Sequence, residues 1–313
     1  MALNDPLRDG IGEELRRPVH AAVTQLADQL AALAGSATAA VLFYGSGLRD
    51  ETLDGVLDFY VLLDDVGAWP GSRLAALANR VLPPNVAYLE RTVADRPVRA
   101  KVAVMSLAQF AAGMTGEGLD TTLWARFSQP CRCVHARSET DRAALASAVQ
   151  DAVKTAARWA AALGPERGAA EDYWRALFAR TYVAEIRVER SGRADDLVAR
   201  DAARYAELLP LAWTAAGIAF NVSSEGELSP QRDHGDRRGA ARRWAWRQRL
   251  GKPLNALRLL KAACTFDGAA DYVAWKVERH SGVHLDLSDW QRRHPLLAAP
   301  GVYWRLRRAG ILR

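Results

Sequence analysis

Residues 38 to 65 constrain the fold more than any other part of the chain. TAAVLFY runs into Gly45-Ser46-Gly47, breaks for several residues, and resumes as GVLDFYVLL ahead of Asp64-Asp65. Each apolar run is short and bounded by turn-forming residues, which predicts a strand at 38–44 and another at 55–63. One acid, Asp58, sits inside the second strand. A charge among apolar residues is costly to bury, so its position has to open on water or on a partner.

The flanking sequence supplies what such strands need. ELRRPVHAAVTQLADQLAALA, residues 14–34, carries apolar residues at helical spacing and predicts an amphipathic helix ending at Gly35-Ser36. A helix is expected over 71–82, and strands over 83–93 and 99–107. The order helix, strand, strand, helix, strand, strand reads as an α+β domain with a mixed sheet and flanking helices. From about Glu139 the chain is Ala-rich and helical, with segments at 140–163, 171–189 and 196–217, a polar loop at 221–239, and helices again at 253–264 and 269–282. Pro253 is expected to open the first of these. At roughly 150 residues per domain the length suits two domains, 1–140 and 141–313. The second is mostly helical, with a winged helix as one form open to it.

The N-terminus has no apolar core of the kind a secretory signal carries, and no run reaches the roughly 18 apolar residues of a membrane span, so a cytoplasmic chain is expected. Cys131, Cys133 and Cys264 cannot build a disulfide framework, and the first two form a lone C-x-C without the further ligands of a zinc site. Buried, reduced thiols are expected. His280 and His284 are four apart, but Gly282 between them spoils a helical ligand pair. His20, His135, His234 and His294 have no partner evident in sequence.

A polymerase-β-like nucleotidyltransferase needs a tight turn after a strand, to bring backbone close to a triphosphate, and a carboxylate on the next strand for magnesium. Glycine permits the close approach. Ser46 can donate its hydroxyl to a phosphate oxygen, and magnesium takes one or two carboxylates with phosphate oxygens and water. Gly45-Ser46-Gly47 and Asp58 fit that layout. The superfamily usually places a second acid two residues on, and here that position is Tyr60. Asp64 would lie about 20 Å from Asp58 along an extended strand, too far to share an ion, so Asp64-Asp65 is expected to close the strand. Glu90 is the first candidate for a second metal ligand, followed by Asp50, Glu51 and Asp54. Lys101, in the apolar strand RAKVAVMSL, is a candidate cation for phosphate.

These motifs resemble the mitochondrial translocator assembly and maintenance protein family, soluble phosphatidate cytidylyltransferases that make CDP-diacylglycerol. The family pattern runs YGSG, LDF-x-x-x-x-DD, K-Y-G-V and G-R-L-x-K-P. This chain has Tyr44-Gly45-Ser46-Gly47, LDFYVLLDD, Lys101-Val102-Ala103-Val104 and Ala125-Arg126-Phe127-Ser128-Gln129-Pro130. LNALRLLKAACTFDGAADYVAWKVERH, residues 254–280, resembles the family's closing block. The chain departs from the pattern in lacking Tyr-Gly after Lys101, in Gln129 for lysine, and in a missing histidine-rich stretch after Asp64-Asp65. The family also has a single acid in its LDF motif. The resemblance implies a polymerase-β-like fold and Mg2+-dependent attack by phosphatidate on CTP. It implies that Tyr44, Gly45, Ser46, Gly47 and Arg126 bind the nucleotide, Asp58 binds the metal, and Lys101 and Arg126 contact phosphates.

A lipid acceptor requires a membrane-facing surface. The net charge of +6 favours an anionic partner. RRGAARRWAWRQRLGKPLNALRLLKAA, residues 237–263, joins Arg237, Arg238, Arg242, Arg243, Arg247, Arg249 and Lys252 to Trp244 and Trp246, a composition suited to an anionic interface. The tail WRLRRAGILR at 304–313 is similar. The expected partners are CTP, phosphatidate or another phosphorylated lipid, and the inner face of the membrane, with no stable nucleic-acid partner. Two alternatives stay open: transfer to another acceptor (RNA, a protein or a small molecule), and a non-catalytic RNA- or membrane-binding module on the same fold.

Overall fold

The computed structural model describes residues 5–50, 53–93, 95–184, 193–265, 268–281 and 286–293, with 298, 301 and 304. In chain order its first half contains α1 (Pro6–Arg16), α2 (Ala21–Ala32), β1 (Thr38–Tyr44), α3 (Ser46–Arg49), β2 (Val56–Leu63), α4 (Arg73–Val81), β3 (Asn85–Val93), β4 (Arg96–Ser106), α5 (Leu107–Met114), α6 (Thr122–Phe127) and β5 (Cys131–Ala136). The second half contains α7 (Glu139–Leu163), α8 (Ala170–Ala184), α9 (Arg193–Arg200), α10 (Ala202–Ala215), β6 (Phe220–Val222), β7 (Leu228–Pro230), α11 (His234–Thr265), α12 (Ala269–Ser281) and α13 (Asp289–Arg293). The architecture is α+β with a mixed sheet ordered β3-β4-β2-β1-β5, and a hairpin, β6-β7.

Two compact units emerge, both discontinuous in sequence. One comprises Met1–Pro18 and Ser106–Leu257, the other Val19–Met105 and Arg258–Arg313. The last third of the chain contributes to both.

In the unit that carries β1 to β4, β1 and β2 are antiparallel, with Tyr44 opposite Asp58, Phe43 opposite Phe59 and Leu42 opposite Tyr60. β3 and β4 are antiparallel, pairing Tyr88 with Lys101 and Glu90 with Arg99. Strand side chains alternate between faces. Tyr44 and Tyr60 thus meet on one face with ring centres 5.5 Å apart, and Phe43 and Phe59 pair on the other at 5.2 Å. α2 lies against β1, β2 and β3 through the buried stripe Val23, Leu26, Ala27 and Leu30. Lys261, near the end of α11, donates to the carbonyls of Leu82 at 2.5 Å and Pro84 at 2.6 Å, tying that helix to the turn between α4 and β3.

The other unit is built around α7, whose alanines Ala152, Ala156, Ala157, Ala160 and Ala161 are fully buried. Small side chains let large neighbours reach the helix backbone. Trp213 donates its indole N–H to the Ala157 carbonyl at 2.9 Å, and its ring meets Tyr173 edge-on at 5.0 Å. Buried aromatics of this size contribute about 4 to 6 kcal/mol each by area.

Four expectations need correction. The helix expected over 14–34 is two helices, because Pro18 forces Arg17 into extended backbone (ψ 139°). CRCVHA, which carried no strand signal, is β5. The loop expected at 221–239 holds the β6-β7 hairpin, turned by Gly226 at φ 80°, and the start of α11, where Asp233 accepts from the Asp236 N–H at 2.6 Å. Pro253 does not open a helix but sits inside α11, where it is exposed. The ends of the segments at 171–189 and 269–282 lie outside the described residues. Cys131 and Cys133 are free and buried, as expected, and burial pushes both thiols up.

Candidate active site

The chain leaves β1 at Tyr44 and turns through Gly45, which adopts φ 87°, a conformation that L-residues with a Cβ rarely take. A Cβ at Gly45 would also lie 2.7 Å from Asp58 Oδ2. The Asp58 carboxylate is thus pressed against bare backbone at the mouth of the turn, and the positive φ with this close approach favours glycine there. Ser46 follows, exposed, at the first position of α3. Gly47 is buried, and a Cβ there would meet Leu57 Cδ2 at 2.7 Å and Phe43 Cζ at 3.3 Å. Its smallness lets α3 settle on the strands.

Asp58 is half-buried near the start of β2. Lys101, also half-buried, lies on β4, the strand next to β2, opposite Tyr88 of β3. Above them runs α12. Gly268, just before this helix, has φ 74°, and a Cβ there would come within 2.4 Å of the Tyr88 carbonyl oxygen. Only glycine lets the helix start so close to β3. Tyr272 of α12 then packs on Tyr88 with ring centres 5.5 Å apart. Burial, and after it the charge of Asp58, push the Tyr272 phenol up. Burial likewise pushes the Tyr88 phenol up to about 12, the Glu90 carboxylate adding to the effect and Arg99 opposing it. The face of the sheet holding Asp58, Lys101 and Tyr88 is therefore the face that α12 covers.

α12 turns Tyr272, Trp275 and Arg279 the same way, at i, i+3 and i+7. Arg99 and Arg279 each lie over the Trp275 ring, 5.8 and 5.2 Å from its centre. The Arg279 Nη1 is 3.7 Å from the place a Cβ would take on Gly55, at the threshold of β2.

The fold thus brings together Tyr44, Gly45, Ser46 and Asp58, and sets Lys101 on the adjacent strand β4. Glu90 is not among them. It pairs with Arg99 at 3.3 Å, on β3, two strands from β2 in the sheet order, a lateral separation of about 10 Å. Arg126 lies half-buried on α6, in the other compact unit. Asp64 ends the β2 ladder, its N–H donating to the Ala37 carbonyl at 2.9 Å. Asp65 accepts from the Gly67 N–H at 3.1 Å and Arg80 at 3.0 Å, and these bonds hold its carboxyl below the usual range. Both close the strand, as their distance from Asp58 predicts. Asp50 and Asp54 are exposed in the intervening segment, and Glu51 lies outside the described residues. Tyr272 and Arg279 were missed as site residues. The only sequence signal for them was the closing-block resemblance, which placed Tyr272 in a motif without giving it a role.

Among the described residues no group of three or more His, Cys, Asp or Glu could cage a metal ion. The single carboxylate of Asp58, beside a turn with no Cβ in the way, fits a magnesium ion held mostly by substrate phosphates and water. It does not fit an ion enclosed by protein ligands.

The basic segment divides. Trp244 is 2% exposed, wedged between Trp159 at 5.1 Å and Trp124 at 6.3 Å. Arg237 donates to the carbonyls of Ala161 and Gly164 at the C-terminus of α7. Arg247 donates to those of Gly116 and Gly118 and lies 4.9 Å over Trp159. These three were expected on a membrane-facing surface and instead belong to the core and its caps. Arg238, Arg242, Arg243, Arg249, Lys252 and Trp246 are exposed as expected. Of the tail at 304–313, only residue 304 is among the described residues. No helix among them is long and apolar enough to cross a membrane.

The chain matches no model of a known protein family and no curated protein.

Proposed function

We propose that the protein transfers CMP from CTP to phosphatidate, or to another phosphorylated lipid, releasing pyrophosphate. The observation that carries this reading is the Asp58 carboxylate, set opposite Tyr44 and against the bare backbone of Gly45. A carboxylate pressed on a glycine turn, with an exposed serine next in the chain, is what a site for a metal-bound polyphosphate requires.

In this reading Asp58 holds a magnesium ion, which when bound neutralises charge on the α-phosphate and the departing pyrophosphate. Gly45 and Ser46 receive the triphosphate through backbone and hydroxyl. Lys101 contacts its oxygens from the neighbouring strand. The acceptor phosphate monoester is largely ionised near neutral pH, its second pKa being about 6. It needs no general base from the protein, and orientation with charge neutralisation accounts for the catalysis.

The membrane-facing surface of this reading is the exposed side of α11. Trp246, Leu250 and Leu257 are 59, 41 and 56% exposed and share one helical face, since positions four and seven apart coincide. Arg242, Arg243 and Arg249 flank them. No acid occurs between Asp236 and Asp267. An apolar stripe bordered by arginine is the pattern of an interfacial helix on anionic lipid.

The test mixes the full chain with magnesium, CTP labelled at the α-phosphate, and vesicles with or without phosphatidate, followed by solvent extraction. Phosphatidate-dependent label in the organic phase, lost in Asp58→Ala, is the expected result. Pyrophosphate release without organic label would move the acceptor to RNA, a protein or a small molecule. Silence with every NTP and acceptor would leave a binding module.

A further inference from the structure

We infer that Arg279 of α12 is a phosphate-binding residue of the Asp58 site, brought to it from the far end of the chain. The inference rests on the nucleotidyl-transfer reading and adds a group that neither the turn nor the LDF motif contains.

β1 and β2 are antiparallel with Tyr44 opposite Asp58, so the residues preceding Asp58 lie at the end of the sheet where the chain turns through Gly45 and Ser46. Gly55 is three residues before Asp58, about 10 Å along an extended strand. The Arg279 guanidinium reaches Gly55 and therefore stands at that same rim. Nothing about this placement is loose. Gly268 sets the start of α12 against the Tyr88 carbonyl, Tyr272 packs on Tyr88 one turn later, and Trp275 lies beneath the Arg279 side chain.

Arg279 is exposed, so its charge is available to a ligand. A guanidinium offers a planar fork that binds phosphate oxygens two at a time. Resting on an indole, it is already restrained, and less side-chain freedom is lost when a phosphate arrives. A triphosphate carries several negative charges, and Lys101 alone leaves most of them unmatched on the protein side. A guanidinium at the rim supplies a second cation where a polyphosphate tail, or the phosphate of an acceptor, would enter.

The test measures binding to the full chain by calorimetry with Mg·CTP and with Mg·pyrophosphate, and the KM for phosphatidate in vesicles, for the wild type, Arg279→Ala and Arg279→Lys. Arg279→Ala is expected to weaken CTP and pyrophosphate together by about 10- to 100-fold, the range of a lost charge-assisted contact. Arg279→Lys, which keeps charge and stem but not the fork, recovers only part of that loss. A raised phosphatidate KM with unchanged nucleotide affinity would place the contact on the acceptor phosphate and sustain the inference. Wild-type affinities and KM in both variants, with an unchanged melting temperature, would overturn it while leaving the reading intact, provided Asp58→Ala still loses Mg·CTP. A wild-type chain that binds neither nucleotide nor pyrophosphate would overturn both.

Discussion

Arg204 and Arg279 each lay a guanidinium over an aromatic ring, 5.3 Å above Tyr205 and 5.2 Å above Trp275, yet their surroundings differ in every other respect. Arg204 has a side chain only 15% exposed. It is held by Glu14 at 2.5 and 3.2 Å and by the Ser128 carbonyl at 3.0 Å. Burial alone would lower its pKa, but the Glu14 carboxylate prevails and the guanidinium is raised. This cation is fully spent within the protein, joining α1, α10 and the end of α6. Arg279 is exposed, supported by a ring and aimed at a strand end that carries an acid. Arginine content and aromatic neighbours therefore do not locate a binding surface. What the guanidinium N–H groups already bond does.

The largest effect should come from breaking the buried half of that comparison. Arg204→Ala removes the nearer of the two cations that Glu14 faces, leaving it Arg132 at 4.0 Å, and is expected to cost about 3 kcal/mol, measured as a lower denaturation midpoint in urea. Adding Glu14→Leu should recover much of the loss, since the poorly matched charge rather than the missing pair is what destabilises. An Arg204→Ala chain as stable as the wild type would show that the pair is no staple.

Asp58→Ala should do the reverse. Its carboxylate is half-exposed, so any loss of stability is expected to be no more than about 1 kcal/mol. CMP transfer should fall by at least about a hundredfold, the scale of losing a group that stabilises transition-state charge. A variant that unfolds in step with its loss of activity would make Asp58 a structural residue.

Gly45→Ala sits between these two. Its positive φ and the 2.7 Å approach of Asp58 Oδ2 should cost about 1 to 3 kcal/mol and displace the carboxylate, so nucleotide affinity drops with stability. Full nucleotide affinity in this variant would mean that the turn and the acid act independently.

The smallest effect is a pH dependence at Lys261. Burial, with Arg258 adding, lowers its pKa from 10.5 to about 8. Between those values the unfolded chain binds the proton and the folded chain does not. Stability should therefore rise with pH from about 8 to about 10.5, modestly, because solvent screens a group only half-buried. A neutral amine keeps N–H groups for the Leu82 and Pro84 carbonyls. Comparing thermal melts of the wild type and Lys261→Met across that range isolates the slope, and parallel curves would remove Lys261 as its source.

Local rules made some of the molecule legible. TAAVLFY is β1 without a residue's difference, and α7 begins one residue before the segment expected at 140–163, because each is periodic and bounded by turn or capping residues. CRCVHA gave no signal as a strand, since its apolar residues, two cysteines, a valine and an alanine, are interrupted by Arg132 and His135. Asp58 could be singled out because a charge in an apolar strand is conspicuous. Glu90 looked equally suitable, and the strand order alone set it apart by placing β4 between it and β2.

The turn, the acid and the strands around them were legible in the chain alone, since glycine at positive φ and two-residue alternation are properties of neighbouring residues. Tertiary structure decided which tryptophan of the pair 244 and 246 lies inside, which arginines cap carbonyls, and that α12 covers the Asp58 face of the sheet. Those outcomes depend on contacts such as Arg204 with Glu14, 190 residues apart. Burial and charge pairing across such separations leave no periodic trace in the chain.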